Sequence, residues 1–111
     1  MAGGCRSSGE LTESSGTSGS VSIAAGPVKL TSVHGYVING TIAQCIVYDN
    51  TAGSGTIVAR MYLDAANSAT PDGAGHSFEM DMHNVLCQKG LFAVITTPTG
   101  SGAHGFTIEF A

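Results

Sequence analysis

Four histidines, three cysteines and eight carboxylates are the side chains of this 111-residue chain able to do acid–base, nucleophilic or metal chemistry. His76, His83 and Cys87 lie seven and four positions apart, with Asp64, Asp72 and Asp81 nearby. A structural zinc site wants close ligand pairs such as C-x-x-C, and none is present. On a strand, His83 and Cys87 would stand about 13 Å apart, too far to share one ion. Glu79 and Asp81 would share a strand face, roughly 7 Å apart, near the spacing of glycosidase carboxylates. Two carboxylates on a solvated strand face are the usual reading of such a pair. There is no G-x-S-x-G nucleophile elbow. His34 falls in a strand pattern and reads as hydrogen-bonded at a sheet face, and His104 as an exposed loop residue. Gly100-Ser101-Gly102-Ala103-His104-Gly105 matches G-x-G-x-x-G, yet it joins two strand patterns, where no helix N-terminus meets a phosphate. Asn39-Gly40-Thr41 is a sequon without a secretory context. The expectation is a chain with no catalytic residue, no metal and no cofactor.

The elements that would position these residues are strands. Gly accounts for 16 residues, charged residues for 11% and apolar residues for 42%. Such a composition suits one small β domain with many turns and a Ser/Thr/Asn/Gly surface. The net charge is −4, and the basic residues, Arg6, Lys29, Arg60 and Lys89, are scattered. Nucleic acid is therefore not an expected partner, because phosphate binding needs clustered cations. No apolar run reaches the ~20 residues of a membrane helix, and the N-terminus has no apolar h-region. Synthesis in a reducing cytoplasm is expected, with Cys45 and Cys87 as buried thiols; three cysteines do not make a disulfide framework.

Residues 1–20 contain 13 Gly, Ser or Thr residues, too little apolar surface to offset their ordering entropy. They are expected to form an irregular N-terminal arm, with the folded domain covering 21–111. Val28–Ile38 is a long strand pattern in which Gly35 suggests a bulge or bend. Asn39-Gly40 signals a tight turn. Ala43–Val47 and Ile57–Tyr62 flank Tyr48-Asp49-Asn50-Thr51-Ala52-Gly53-Ser54-Gly55-Thr56, a hairpin whose Asp49 and Asn50 can bond their own backbone and whose Gly53 and Gly55 can take positive φ. A long loop follows at 64–76, with turn chemistry at Pro71-Asp72-Gly73. Phe78, Met80 and Met82 alternate with Glu79 and Asp81, so the first three are expected in the core. Leu91–Thr96 is nearly all apolar and predicts a central strand buried on both faces. Phe106–Phe110 alternates again. About seven strands with no helical period predict an all-β, single-domain β-sandwich, jelly-roll or Greek-key-like.

Taken together, Val33-His34-Gly35-Tyr36-Val37-Ile38-Asn39, Ile46–Thr56, Gly90-Leu91-Phe92-Ala93-Val94 and the terminal Phe106–Phe110 resemble small virion proteins of tailed bacteriophages. The resemblance spans about residues 28–110 and rests on the order of four motifs. It implies a β-sandwich structural protein: a head decoration (cement) protein that binds the major capsid protein as a dimer or trimer, on the capsid surface. A head-fibre or tail component that binds host glycan is the alternative. The family implies no catalytic residues. On this reading the arm and the 48–56 and 64–76 loops touch the capsid or a neighbouring subunit, through Cys5, Arg6, Leu11, Asp49, Asn50, Pro71 and Asp72.

Overall fold

The computed structural model describes residues 5–13, 17–38, 41–65, 75–99 and 104–111. Within them the chain forms eight strands and no helix: β1 (Arg6–Ser7), β2 (Thr17–Ala25), β3 (Val28–Ile38), β4 (Ile42–Asp49), β5 (Thr56–Asp64), β6 (Gly75–Cys87), β7 (Gly90–Thr99) and β8 (His104–Phe110). They make two four-stranded sheets, sheet A in the order β1-β8-β3-β6 and sheet B in the order β2-β7-β4-β5. Every pairing is antiparallel. The pairings nest: first with last, second with seventh, third with sixth, fourth with fifth.

Period-two alternation builds the core between the sheets, because successive side chains of a strand point to opposite faces. Val33 and Val37 of β3, Cys45 and Val47 of β4, Leu91 and Ala93 of β7, and Phe106 and Ile108 of β8 are fully buried there. The free thiols of Cys45 and Cys87 are buried, as their strand contexts suggest. Burial pushes the Cys45 thiol up to about 12, so it sits in the core as a neutral apolar group.

Four expectations need correction. The irregular arm is partly ordered on its own chain. Arg6 and Ser7 pair with Phe110 and Glu109, Leu11 bridges Phe106, and β2 begins at Thr17 within the Gly/Ser-rich stretch. These residues gain from backbone pairing what their side chains lack in apolar area. Gly35 marks no bend, since β3 runs through it and its irregularity falls between Leu30 and Ser32. A Cβ at Gly35 would stand 2.6 Å from Met61 Sδ and 2.8 Å from Phe106 Cδ1, so the glycine serves close inter-sheet packing. Phe78 is 59% exposed, although Met80 and Met82 do pack on the core, because β6 is an edge strand. Finally, β7 is central, but within Leu91–Thr96 only Leu91, Ala93 and Ile95 are buried; Phe92 and Val94 on its outer side are half-buried.

The β6 edge carries its own interruption. His83 (φ 52°) and Asn84 (φ 56°) are both left-handed. Asp81 Oδ1 accepts the His83 N–H at 2.8 Å, and Asn84 Oδ1 accepts the Thr31 hydroxyl at 3.1 Å. Asn tolerates this region better than most residues. The kink spoils the flat edge that would otherwise template pairing with another chain.

Candidate functional site

Antiparallel winding sends the ends of β2, β4, β6 and β8 and the starts of β3, β5 and β7 to one end of the sandwich. Here the short turns at 26–27 and 88–89 connect the sheets. Asp49, the last residue of β4, organises this end. Its Oδ1 accepts the backbone N–H groups of Lys89 at 2.8 Å and Gly90 at 3.3 Å, and its Oδ2 that of Gln88 at 3.0 Å. These donors, that of Lys89 foremost, hold its carboxyl below the ordinary aspartate value. Lys89 C=O in turn accepts the Gly26 N–H at 3.0 Å, so one carboxylate ties together three turns. Asn50 closes the hairpin loop on itself, its side chain donating to Ser54 C=O at 2.8 Å and accepting the Thr51 N–H at 2.8 Å. Gly55 takes φ +94°, whereas Gly53 keeps a negative φ. A Cβ at Gly53 would lie 3.2 Å from Val94 Cγ2 and 3.3 Å from Phe92 Cε1. The loop therefore folds back over the outer face of sheet B.

Cys5 and Arg6 reach the same end, because β1 pairs with the last residues of β8. Cys5 is exposed. The Arg6 guanidinium lies 4.8 Å from the centroid of the Phe110 ring, a cation–π distance. Leu11 lies further along β8, packed on the core beside Phe106. Of the residues named from sequence, Cys5, Arg6, Asp49 and Asn50 thus come to one end and Leu11 does not; Pro71 and Asp72 lie outside the described residues. Asp49 and Asn50 also spend much of their hydrogen-bonding capacity inside the chain.

His34 is hydrogen-bonded at a sheet face, as its strand pattern suggests, but sequence reasoning missed the cluster it belongs to and a second one around His104. On the outer face of sheet A, the Ser32 hydroxyl donates to Glu109 Oε1 at 2.6 Å, and His34 Nε2 lies 3.0 Å from both the Ser32 hydroxyl and Glu109 Oε1. Glu79 Oε2 stands 3.9 Å from the same nitrogen. The Ser32 hydroxyl first, then His34, hold the Glu109 carboxyl below its ordinary value. The residue types are those of a nucleophilic triad, but the geometry differs. A triad places the acid on the nitrogen opposite the nucleophile, whereas here serine and acid converge on Nε2. Ser32 is only 5% exposed and donates its hydroxyl hydrogen bond to Glu109. The cluster fixes His34 in place and offers no accessible nucleophile. The sequence signal was register: His34 faces Glu79 and Thr107 across its two neighbours.

His104 corrects the second expectation. It is 7% exposed on β8, in phase with Phe106, Ile108 and Phe110, an alternation readable in the sequence. Its Nε2 accepts the Glu13 backbone N–H at 2.9 Å and lies 3.2 Å from the Thr97 hydroxyl. It therefore pins the N-terminal segment as a neutral imidazole. Burial pushes its pKa down, against the upward pull of the Glu10 and Glu13 carboxylates. A group that is harder to protonate folded than unfolded contributes stability above its unfolded value of about 6.5, lost as pH falls through the lower folded value. Hydrogen exchange should accordingly show the Glu13 amide losing protection, relative to amides of β3, as pH falls below about 6.5 and through the lower folded value. An unchanged ratio would show that His104 does not hold the segment.

Among the described residues no group of three or more His, Cys, Asp or Glu could hold a metal ion, and no helix is long and apolar enough to cross a membrane. The fold and these clusters define an all-β protein of two four-stranded antiparallel sheets. Compared with protein-family models, curated proteins and solved structures, the chain finds no match in any of the three.

Proposed function

We propose that this chain is a non-enzymatic structural protein of a bacteriophage virion, a head decoration protein of jelly-roll topology that binds the major capsid shell as a homo-oligomer. The observation that carries the reading is the nested pairing of first strand with last, second with seventh, third with sixth and fourth with fifth. This nesting in two four-stranded sheets supports a jelly-roll reading, a fold used by viral capsid and lectin domains. Fold alone does not carry function; the motif resemblance at residues 28–110 supplies the phage context. Two features of the molecule support a passive, load-sharing role. Its polar clusters lock side chains in place without exposing a nucleophile. Its turns at one end are cross-tied by Asp49, which makes a rigid contact surface beside Cys5 and Arg6.

The reading assigns no catalytic residue, metal or cofactor. The contact is made by the Cys5–Arg6 and 50–55 end of the sandwich. Cryo-electron microscopy of the virion tests this. Density matching a body of 47 × 26 × 17 Å is expected on the outer shell, with that end against the capsid. Density confined to the tail, or none on the particle, would refute it. Deletion of residues 2–13, which spares β2, is expected to weaken binding of the purified protein to undecorated shells. Full retention would remove the N-terminal segment from the contact.

A further inference from the structure

Among the described residues, the large apolar side chains left exposed are Ile57, Tyr62, Phe78, Val85 and Leu86. All belong to β5 and β6, edge strands that lie against each other on one side of the sandwich. Met61 of β5 reaches the space over Gly35 of β3, and Gly35 faces Phe78 of β6 in the register. Phe78 therefore stands about one strand spacing, ~4.8 Å, beyond the cover that β5 gives. It shares the inner side of sheet A with Met80 and Met82, which pack on the core, yet it is 59% exposed. On this side sheet B ends one strand short of sheet A. We propose that this ledge takes an extended strand of a partner protein, which adds to the β5 edge and lays apolar side chains on Phe78, a contact separate from the shell-binding end at Asp49.

Three features point to a strand. First, β5 is the regular edge. β1 is two residues long, β2 shifts register between Ser22 and Ala24, and β6 is broken by its two left-handed residues. Short strands and irregularities of this kind discourage pairing with another chain. From Ala59 to Asp64, by contrast, β5 pairs with β4 without irregularity. Second, the backbone is turned outward. The Ala65 N–H donates to Thr41 C=O on the β4 side at 2.8 Å. Alternation along the ladder turns the backbone groups of Tyr62 and Arg60 the other way, toward the ledge. Main-chain bonds to such groups supply the affinity when a peptide extends a sheet. Third, the side chains set a charge pattern. Exposed Arg60, Tyr62 and Asp64 alternate with buried Met61 and Leu63. On an antiparallel partner strand, the residues opposite Met61 and Leu63 face down over Phe78 and must be apolar. Those opposite Arg60 and Asp64 face out, where an acid and a base respectively are favoured and like charges are not. A carboxylate accepts from more than one donor, so a base can meet Asp64 alongside its contact within the chain. Read from its N-terminus, the strand that fits is base–apolar–any–apolar–acid.

The full-length protein, ¹⁵N-labelled, is titrated with a synthetic peptide of residues 56–64, whose Arg-Met-Tyr-Leu-Asp run has this pattern. Saturable shifts centred on Arg60, Tyr62 and Phe78 are expected, with slowed exchange of the Arg60 and Tyr62 amides. A peptide with its Arg and Asp interchanged should bind about tenfold more weakly. Phe78→Ala should weaken binding of the first peptide by about as much while leaving Tm unchanged, since the position is exposed. No saturable shift, equal binding of the two peptides, or binding that survives Phe78→Ala overturns the proposal. So does an oligomeric state of the protein alone that changes in Arg60→Glu, because the edge would then belong to a second copy. No capsid shell enters these measurements, so their failure leaves the shell-binding reading untouched.

Discussion

Replacing Phe106 with alanine should cost about 3–5 kcal/mol, the range for deleting a buried aromatic side chain. Phe106 is fully buried on β8, opposite Gly35 of β3. Its ring edge stands 2.8–2.9 Å from where a Gly35 Cβ would sit, so ring and glycine are complementary halves of one contact between the sheets. Its backbone also exchanges both hydrogen bonds with Leu11, at 2.7 and 3.0 Å. Truncation leaves a cavity flanked by Met61, which reaches the same space. A domain of this size is stable by about 5–15 kcal/mol, so one substitution should remove roughly a fifth or more of the total. Urea denaturation should show a lowered midpoint with an unchanged slope, and Phe78→Ala, at an exposed edge position, should stay within about 0.5 kcal/mol of the parent. A loss below about 1 kcal/mol for Phe106→Ala would mean that the sheets do not close on this ring. Coupling offers a sharper check. Gly35→Ala should be less damaging in the Phe106→Ala background than alone, because the ring is part of what the new methyl meets.

The β character of the chain, its inner faces and the hairpin between β4 and β5 were all legible, because they rest on period-two alternation and on turn residues whose effect is local. What was not legible depended on where a strand lies. Phe78 alternates with Glu79 like a core residue, and only the position of β6 at a sheet edge leaves it exposed. Conversely, β1 and the start of β2 have no hydrophobic pattern at all. They become strands because β8 and β7 offer backbone partners, which composition cannot reveal. Gly35 shows the same limit. Its residue type announced something special, but whether that was a bend or a close approach depended on Phe106, 71 positions away in sequence. Asp49 was visible as hairpin chemistry. Its actual partners, Gln88, Lys89 and Gly90, are non-local, and so were Glu109, which fixes His34 together with nearby Ser32, and the backbone donor on His104.

The corner that Asp49 builds is also where a single methyl group should do the most harm. Gly90 begins β7 at φ +148°, a region that side chains other than glycine rarely adopt. A Cβ there would lie 2.4 Å from Ala24 C=O oxygen and 3.2 Å from that of Asn50. Both obstacles are backbone, so no rotamer change relieves them. Relief requires moving β2, whose register already shifts between Ser22 and Ala24, or the hairpin loop, and either motion pulls the Gly90 N–H away from Asp49. Gly90→Ala is therefore expected to cost about 3 kcal/mol or more, combining strain at an unusual φ with disruption of a buried corner. Gly9→Ala separates the two contributions. Gly9 also has positive φ, +75°, but open space around its Cβ position, so strain alone should cost about 1–2 kcal/mol. Thermal unfolding of the two variants decides the matter at roughly 4 °C per kcal/mol for a domain of this length. Equal shifts would show that the corner can move and that Asp49 does not fix it, which would also remove the rigid contact surface on which the proposed shell-binding role depends.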